Sequence, residues 1–236
     1  MKIGLVASNF KPIPSPPNSI FAPGLVVNNL ANGLIKKGHE VTVFAADDSK
    51  TGYKVISFGL NSVYKDILNF KDKKPEYYCD QRSKYELFLI SKAIEQANNF
   101  DILHFHDYRK AIYFSHLVNT PFLFTFHDSF NLDLSKIDKK TFDRFKNSVY
   151  FSALSKNHME KIKNKINFVG IVNNGISLSD FNFSQKGGDN LLFIGRFIEN
   201  KGLDLAIDIA EKAKQKIIIV GAPGVESGEI NYWQTK

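Results

Sequence analysis

The chain has 236 residues, 43% of them hydrophobic and 23% charged, an ordinary balance for a soluble globular protein of one large or two small domains. A single cysteine, Cys79, excludes an internal disulfide and fits a reducing compartment. The net charge of +7 and pI near 9.2 suit nucleic acid, anionic lipid or a phosphorylated ligand, but no zinc-finger, helix-turn-helix or RNA-binding aromatic motif is present, so nucleic acid is set aside.

Strands and helices alternate from the first residue. Lys2 to Ala7 reads as a strand. The apolar start breaks at Ser8-Asn9-Phe10-Lys11-Pro12, too early for a signal-peptide core or a membrane span. No later segment reaches spanning length, so a cytoplasmic protein is expected. Gly24 to Lys37 reads as a helix with one apolar face (Val26, Val27, Leu30, Ala31, Leu34, Ile35), and Gly38 stands where a helix-terminating glycine belongs. Glu40 to Ala45 and Lys54 to Ser57 are the next strands. Leu60, Val63, Tyr64, Ile67 and Leu68 have helical spacing, for contact with a membrane interface or lipid-linked substrate or, the preferred reading, for core packing.

Ser83 to Asn98 is expected as a helix opened by a Ser83/Glu86 capping box. Then come a strand at 101–105, a helix at 109–117, a strand at 121–126 and a short helix at 139–146. A strand at 149–154, a helix at 155–163 and a strand at 167–172 follow. This order implies right-handed crossovers and a mostly parallel sheet covered on both faces. The fold class is therefore α/β, a Rossmann-like doubly wound parallel sheet, with ligands expected at the carboxyl ends of the strands.

Near Asn173 the pattern pauses. Asn173-Asn174-Gly175 is a turn signal and Ser184 to Asp189 a polar linker. A second alternation begins with a strand at 191–195, a helix at 203–213 and a strand at 216–220. One strand-helix-strand unit cannot bury both faces of its sheet, and completing an ordinary domain takes roughly 100 more residues. The expected division is a domain at 1–172, a linker at 173–190 and the start of a second, incomplete domain at 191–236.

Four loops that follow strands carry candidate chemistry. Ser8 to Pro23 is proline-rich and holds no G-x-G-x-x-G, against a dinucleotide-dependent oxidoreductase; a P-loop triphosphatase motif is missing too. His104 and His106 alternate onto one strand face, a weak metal signal better read as polar residues at a strand end. His127, in Thr125-Phe126-His127-Asp128-Ser129, is placed to hydrogen-bond a sugar hydroxyl or phosphate, or simply backbone. In Leu191 to Gly202, the order strand, Gly195-Arg196, four residues, Lys201-Gly202, amphipathic helix puts two cations where a strand hands over to a helix start. That is a cradle for a diphosphate, or a loop flanked by ordinary surface charges.

These pieces in order resemble glycosyltransferase family 4, whose members have the GT-B fold of two facing Rossmann-like domains. The matching segments are residues 30–44 (LANGLIKKGHEVTVF), 100–107 (FDILHFHD) and 120–128 (TPFLFTFHD). They continue with a strand followed by Ser155, then 172–176 (VNNGI) and 193–207 (FIGRFIENKGLDLAI). The resemblance implies transfer of a sugar from a nucleotide-sugar donor to a glycan or lipid-linked acceptor, with retention at the anomeric carbon and no metal or other cofactor. It implies donor-diphosphate binding by Arg196 and Lys201 with Gly195 and Gly202, a catalytic role for His127, and an interdomain hinge at Asn173, Asn174 and Gly175.

A role in surface polysaccharide, lipopolysaccharide or glycolipid assembly is expected; most of the basic residues are read as solvated helix faces, the alternative being a patch in peripheral contact with the inner face of the membrane. The chain departs from the family at Phe21-Ala22 and Gly24, which stand where a Gly-Gly pair and a glutamate are usual, and it has no counterpart of the paired late glutamates. This chain alone is accordingly expected to be a poor catalyst. The alternative is a non-catalytic remnant or assembly subunit, completed by a partner chain or by self-association and burying Tyr232-Trp233.

Overall fold

In the computed structural model, residues 1–16, 21–127, 136–162 and 167–222 are described. Asp128, Ser129, Pro223, Gly224, Tyr232 and Trp233 lie outside them. The chain divides into two units, Met1–Leu178 and Ser179–Lys236.

The first unit is built on a parallel sheet of β1 (Lys2–Val6), β2 (Glu40–Phe44), β3 (Lys54–Ile56), β4 (Ile102–His106), β5 (Phe122–Thr125), β6 (Val149–Ala153) and β7 (Phe168–Ile171). Their order across the sheet is β3-β2-β1-β4-β5-β6-β7. The chain winds outward from β1 to β3 and then returns to place β4 on the other side of β1. The carboxyl ends of β1 and β4 thus flank the point where the winding reverses, the position at which such sheets open a ligand crevice. Register pairs Val6 with Phe105 and His106 with Thr125.

Alternation along the strands separates two faces. One carries Phe105, Phe122, Phe124 and Phe151, with Phe126 just past β5 and Phe142 and Phe145 from the helix that follows. Phe124 has its ring centroid 5.2 Å from that of Phe105 and 5.5 Å from that of Phe151. Much of the chain's phenylalanine is spent on this wall of rings. The other face packs Leu5, Ala7, Val41, Val43 and Ala45 against Val27 and Ala31 of α1 (Ala22–Lys36). Gly4 leaves room for Leu103 between β1 and β4: a Cβ there would lie 2.5 Å from Leu103 Cδ2, and that side chain would have to shift.

The expected amphipathic segment at 60–70 is broken into α2 (Val63–Asp66) and a 3-10 turn at Leu68–Phe70, with Val63 and Ile67 buried as core packing requires. The capping box is a correction. Helix α3 runs Pro75–Glu95, with Pro75 in its first turn, so Ser83 and Glu86 lie mid-helix. Both instead receive Lys110 Nζ, at 2.8 and 2.7 Å. Residues 109–114 form a 3-10 helix rather than an α-helix. Helices α4 (Lys136–Phe145) and α5 (Lys156–Ile162) complete the unit, and Ser155 Oγ caps α5 by accepting the His158 N–H at 3.1 Å.

In the second unit, β8 (Leu191–Ile194) and β9 (Ile217–Val220) pair in parallel and are joined by α6 (Leu203–Ala213). Gly221, just past β9, approaches the β8 loop so closely that a Cβ would fall 1.9 Å from Gly195 O. Among the described residues no helix is long and apolar enough to cross a membrane.

Candidate functional site

The carboxyl edge of the first sheet gathers imidazoles. His104 and His106 point to the same side of β4, with ring centroids 4.2 Å apart. His127 follows β5, and the β4/β5 register carries it to His106. His106 Nδ1 and His127 Nε2 are 2.9 Å apart, with the rings nearly parallel at 13°. His104 Nε2 is 2.8 Å from Thr125 Oγ1, which also hydrogen-bonds Ser152 Oγ on β6.

Between these rings the backbone turns at Asp107, whose φ of 68° is in the left-handed region. Aspartate tolerates that conformation because its short polar side chain can bond local backbone. Here its Oδ1 accepts the His127 N–H at 2.7 Å, and its own N–H donates to Thr125 O at 3.2 Å. Asp107 thus ties the β4 loop to the β5 loop. The Arg109 guanidinium lies over the Phe126 ring at 5.0 Å, a cation–π contact on the same edge.

Burial keeps His104 and His106 uncharged. Loss of hydration, with the neighbouring His127 second, pushes His104 down to about 3. Burial and then the adjacent imidazoles hold His106 well below the ordinary histidine range. The edge therefore offers neutral hydrogen-bonding groups. Among the described residues no group of three or more His, Cys, Asp or Glu is arranged to hold a metal ion.

Beside it, at the end of β1, Asn9 is 3% exposed and Tyr108 5% exposed. The Asn9 N–H donates to Tyr108 Oη at 2.5 Å, and Tyr108 Oη donates to Asn9 Oδ1 at 2.7 Å. Burial raises the Tyr108 phenol above its usual value. Sequence reasoning missed this pair. Its one available signal was position, since each residue follows a strand beside the winding reversal.

In the second unit the strand-to-helix loop is pinned by buried Phe197 and Ile198, while Arg196 and Lys201 are exposed. The Gly195 N–H donates to Val220 O at 3.0 Å. A 3-10 turn, Glu199–Lys201, precedes the helix, and Gly202 (φ 71°) ends that turn and opens α6. No side chain caps the α6 N-terminus, and Asp204 lies in its first turn. Asn173, Asn174 and Gly175 are exposed and belong to the first unit. Asn173 Nδ2 donates to Leu154 O at 2.8 Å, and Gly175 O accepts from Asn29 Nδ2 at 3.4 Å.

The Rossmann-like sheet places the chain among proteins with the GT-B glycosyltransferase fold. It is similar to AviGT4, a glycosyltransferase involved in avilamycin A biosynthesis, with 17% identity and TM-score 0.56, over 99% of this chain and 59% of that one. It is similar to Anabaena HepE in complex with UDP and glucose, with 15% identity and TM-score 0.61, over 100% of this chain and 64% of that one. A third likeness is to the catalytic domain of starch synthase IV from Arabidopsis thaliana bound to ADP and acarbose, with 15% identity and TM-score 0.62, over 99% and 71%. The chain thus spans under two thirds of AviGT4 and of HepE. No curated protein matches it. Residues 24–180 match glycosyltransferase family 4, and the chain belongs to that family.

Proposed function

We propose that the chain acts in a retaining glycosyl transfer from a nucleotide-sugar donor to a glycan or lipid-linked acceptor, in surface polysaccharide or glycolipid assembly. In the proposed reaction the bond between the anomeric carbon and the diphosphate oxygen breaks. The acceptor oxygen takes its place on the same face and passes its proton to the departing diphosphate oxygen. Arg196 and Lys201, beside Gly195 and Gly202, neutralise the charge that grows on the departing diphosphate. His127 serves at the donor sugar, no metal is required, and residues 173–175 are the hinge between a domain at 1–172 and one at 191–236. The reaction is assigned to the cytoplasm, at the inner membrane face.

The observation that carries this reading is the second unit's loop in a family 4 chain. Two apolar anchors fix its backbone while both cations face outward next to a helix start without a side-chain cap. The solved relatives that hold UDP or ADP support a nucleoside diphosphate as the leaving group.

The test is calorimetric titration of the full chain with UDP, ADP and GDP. Charge-assisted hydrogen bonds of about 1.5–3 kcal/mol predict that Arg196→Ala weakens the best of these roughly 10- to 100-fold. Equal affinity in wild type and variant, or no binding of any diphosphate, sinks the assignment. A second reading, an assembly subunit completed by a partner chain or by self-association, is favoured by the apolar exposure of Leu192 (61%) and Ile194 (72%) on β8. A native mass equal to one chain, alone and in its source extract, counts against it.

A further inference from the structure

His106 is engaged at one nitrogen and bare at the other. Nδ1 meets His127 Nε2 at 2.9 Å, while Nε2 has less than 1 Å² of accessible surface and no hydrogen-bond partner. The residue itself is 1% exposed. When both rings are neutral, two arrangements of the protons satisfy the contact. In one, His127 Nε2–H donates to His106 Nδ1, and the second proton of the pair sits on the buried, partnerless His106 Nε2. In the other, His106 Nδ1–H donates to His127 Nε2, and only a lone pair is left bare. A buried N–H without an acceptor costs more than an under-used acceptor. The second arrangement is therefore the stable one.

From this we infer that His106 is a positioning residue that locks His127 in the tautomer carrying its proton on Nδ1. The rings lie within 13° of a common orientation with the hydrogen bond in their plane, so His106 fixes both the plane and the tautomer of His127, and the Asp107 carboxylate on the His127 N–H fixes its backbone. A histidine's tautomer is set by the bond its other nitrogen makes.

The inference rests on the proposed role of His127 at the donor sugar and sharpens it. With Nε2 committed to His106, the His127 proton is on Nδ1, and the ring does not serve as a base through Nε2. His104 does not share in this lock, because its Nε2 is turned to Thr125.

The experiment is a two-bond proton–nitrogen correlation spectrum of the uniformly nitrogen-15-labelled full chain near pH 8, without nucleotide, with the rings assigned by single substitutions. The expected result is a pyrrole-type Nδ1 and a pyridine-type Nε2 for both His106 and His127, with a scalar coupling across the hydrogen bond from His106 Nδ1 to His127 Nε2. In His106→Phe, which keeps a ring but no nitrogen, the tautomer ratio of His127 shifts about tenfold toward Nε2–H, the loss of one such bond. A wild-type His127 protonated on Nε2 overturns the inference, as does a His127 ratio unchanged in His106→Phe. If that variant does not fold, the wild-type spectrum decides alone. Diphosphate titration is a separate measurement, so failure of the proposed function and failure of the lock are told apart.

Discussion

The two histidines of β4 make stability depend on pH in a calculable way. His104 is held at about 3 in the folded chain, against an ordinary 6.5. Its folded value is depressed, so the unfolded state binds more protons between these limits. The stabilisation is fully present above pH 6.5 and is lost progressively as pH falls toward 3. The slope is about 1.4 kcal/mol per pH unit, so passing from pH 8 to pH 5 removes about 2 kcal/mol through His104. His106 adds to the loss in the same direction. His104→Gln isolates one contribution, because an amide reaches Thr125 Oγ1 much as Nε2 does but does not titrate. Urea unfolding followed by far-ultraviolet circular dichroism at pH 8 and pH 5 should show a drop that is about 2 kcal/mol smaller in the variant than in wild type. If both lose the same stability, His104 is charged in the folded state or its environment is open to water, and the reasoning fails.

Three further outcomes follow from packing. Tyr108→Phe strips the Asn9 N–H and Oδ1 of their common partner in a buried place, and thermal or urea unfolding should show a loss of about 1–3 kcal/mol. Phe124→Ala empties the centre of the aromatic wall and should cost about 3–5 kcal/mol by the same assay, whereas Phe124→Leu should cost under about 1.5 kcal/mol; equal costs would mean the wall repacks freely. Gly221→Ala drives a methyl into Gly195 O, so hydrogen exchange should quicken at the β8 and β9 amides and stay unchanged in β1 to β6.

Strands were legible in the sequence because each is a short apolar run between turn residues, and β1 to β9 all fall within about a residue of expectation. The start of α3 was not, because Pro75 to Arg82 carries no clear apolar period, and Ser83 and Glu86 imitate a cap while serving Lys110. The usable signal was Pro75 followed by Glu76, a proline and an acid in a first turn. His127 was singled out from its place after a strand. Its contact with His106 was not readable, because it depends on the stagger of β5 against β4, which no local pattern encodes. The Asn9–Tyr108 pair spans 99 positions and is hidden for the same reason.

Strand β4 presents phenylalanine and leucine to one side and imidazoles to the other. Slipping it by a single position would exchange the two sets, driving Phe105 out of the oily layer and pressing His104 and His106 into it. Misalignment would lose the burial of the apolar rings and the hydrogen bonds of the imidazoles in the same move. Selection for a well-made interior is therefore also selection for correctly aimed histidines, and a variant that keeps one will tend to inherit the other.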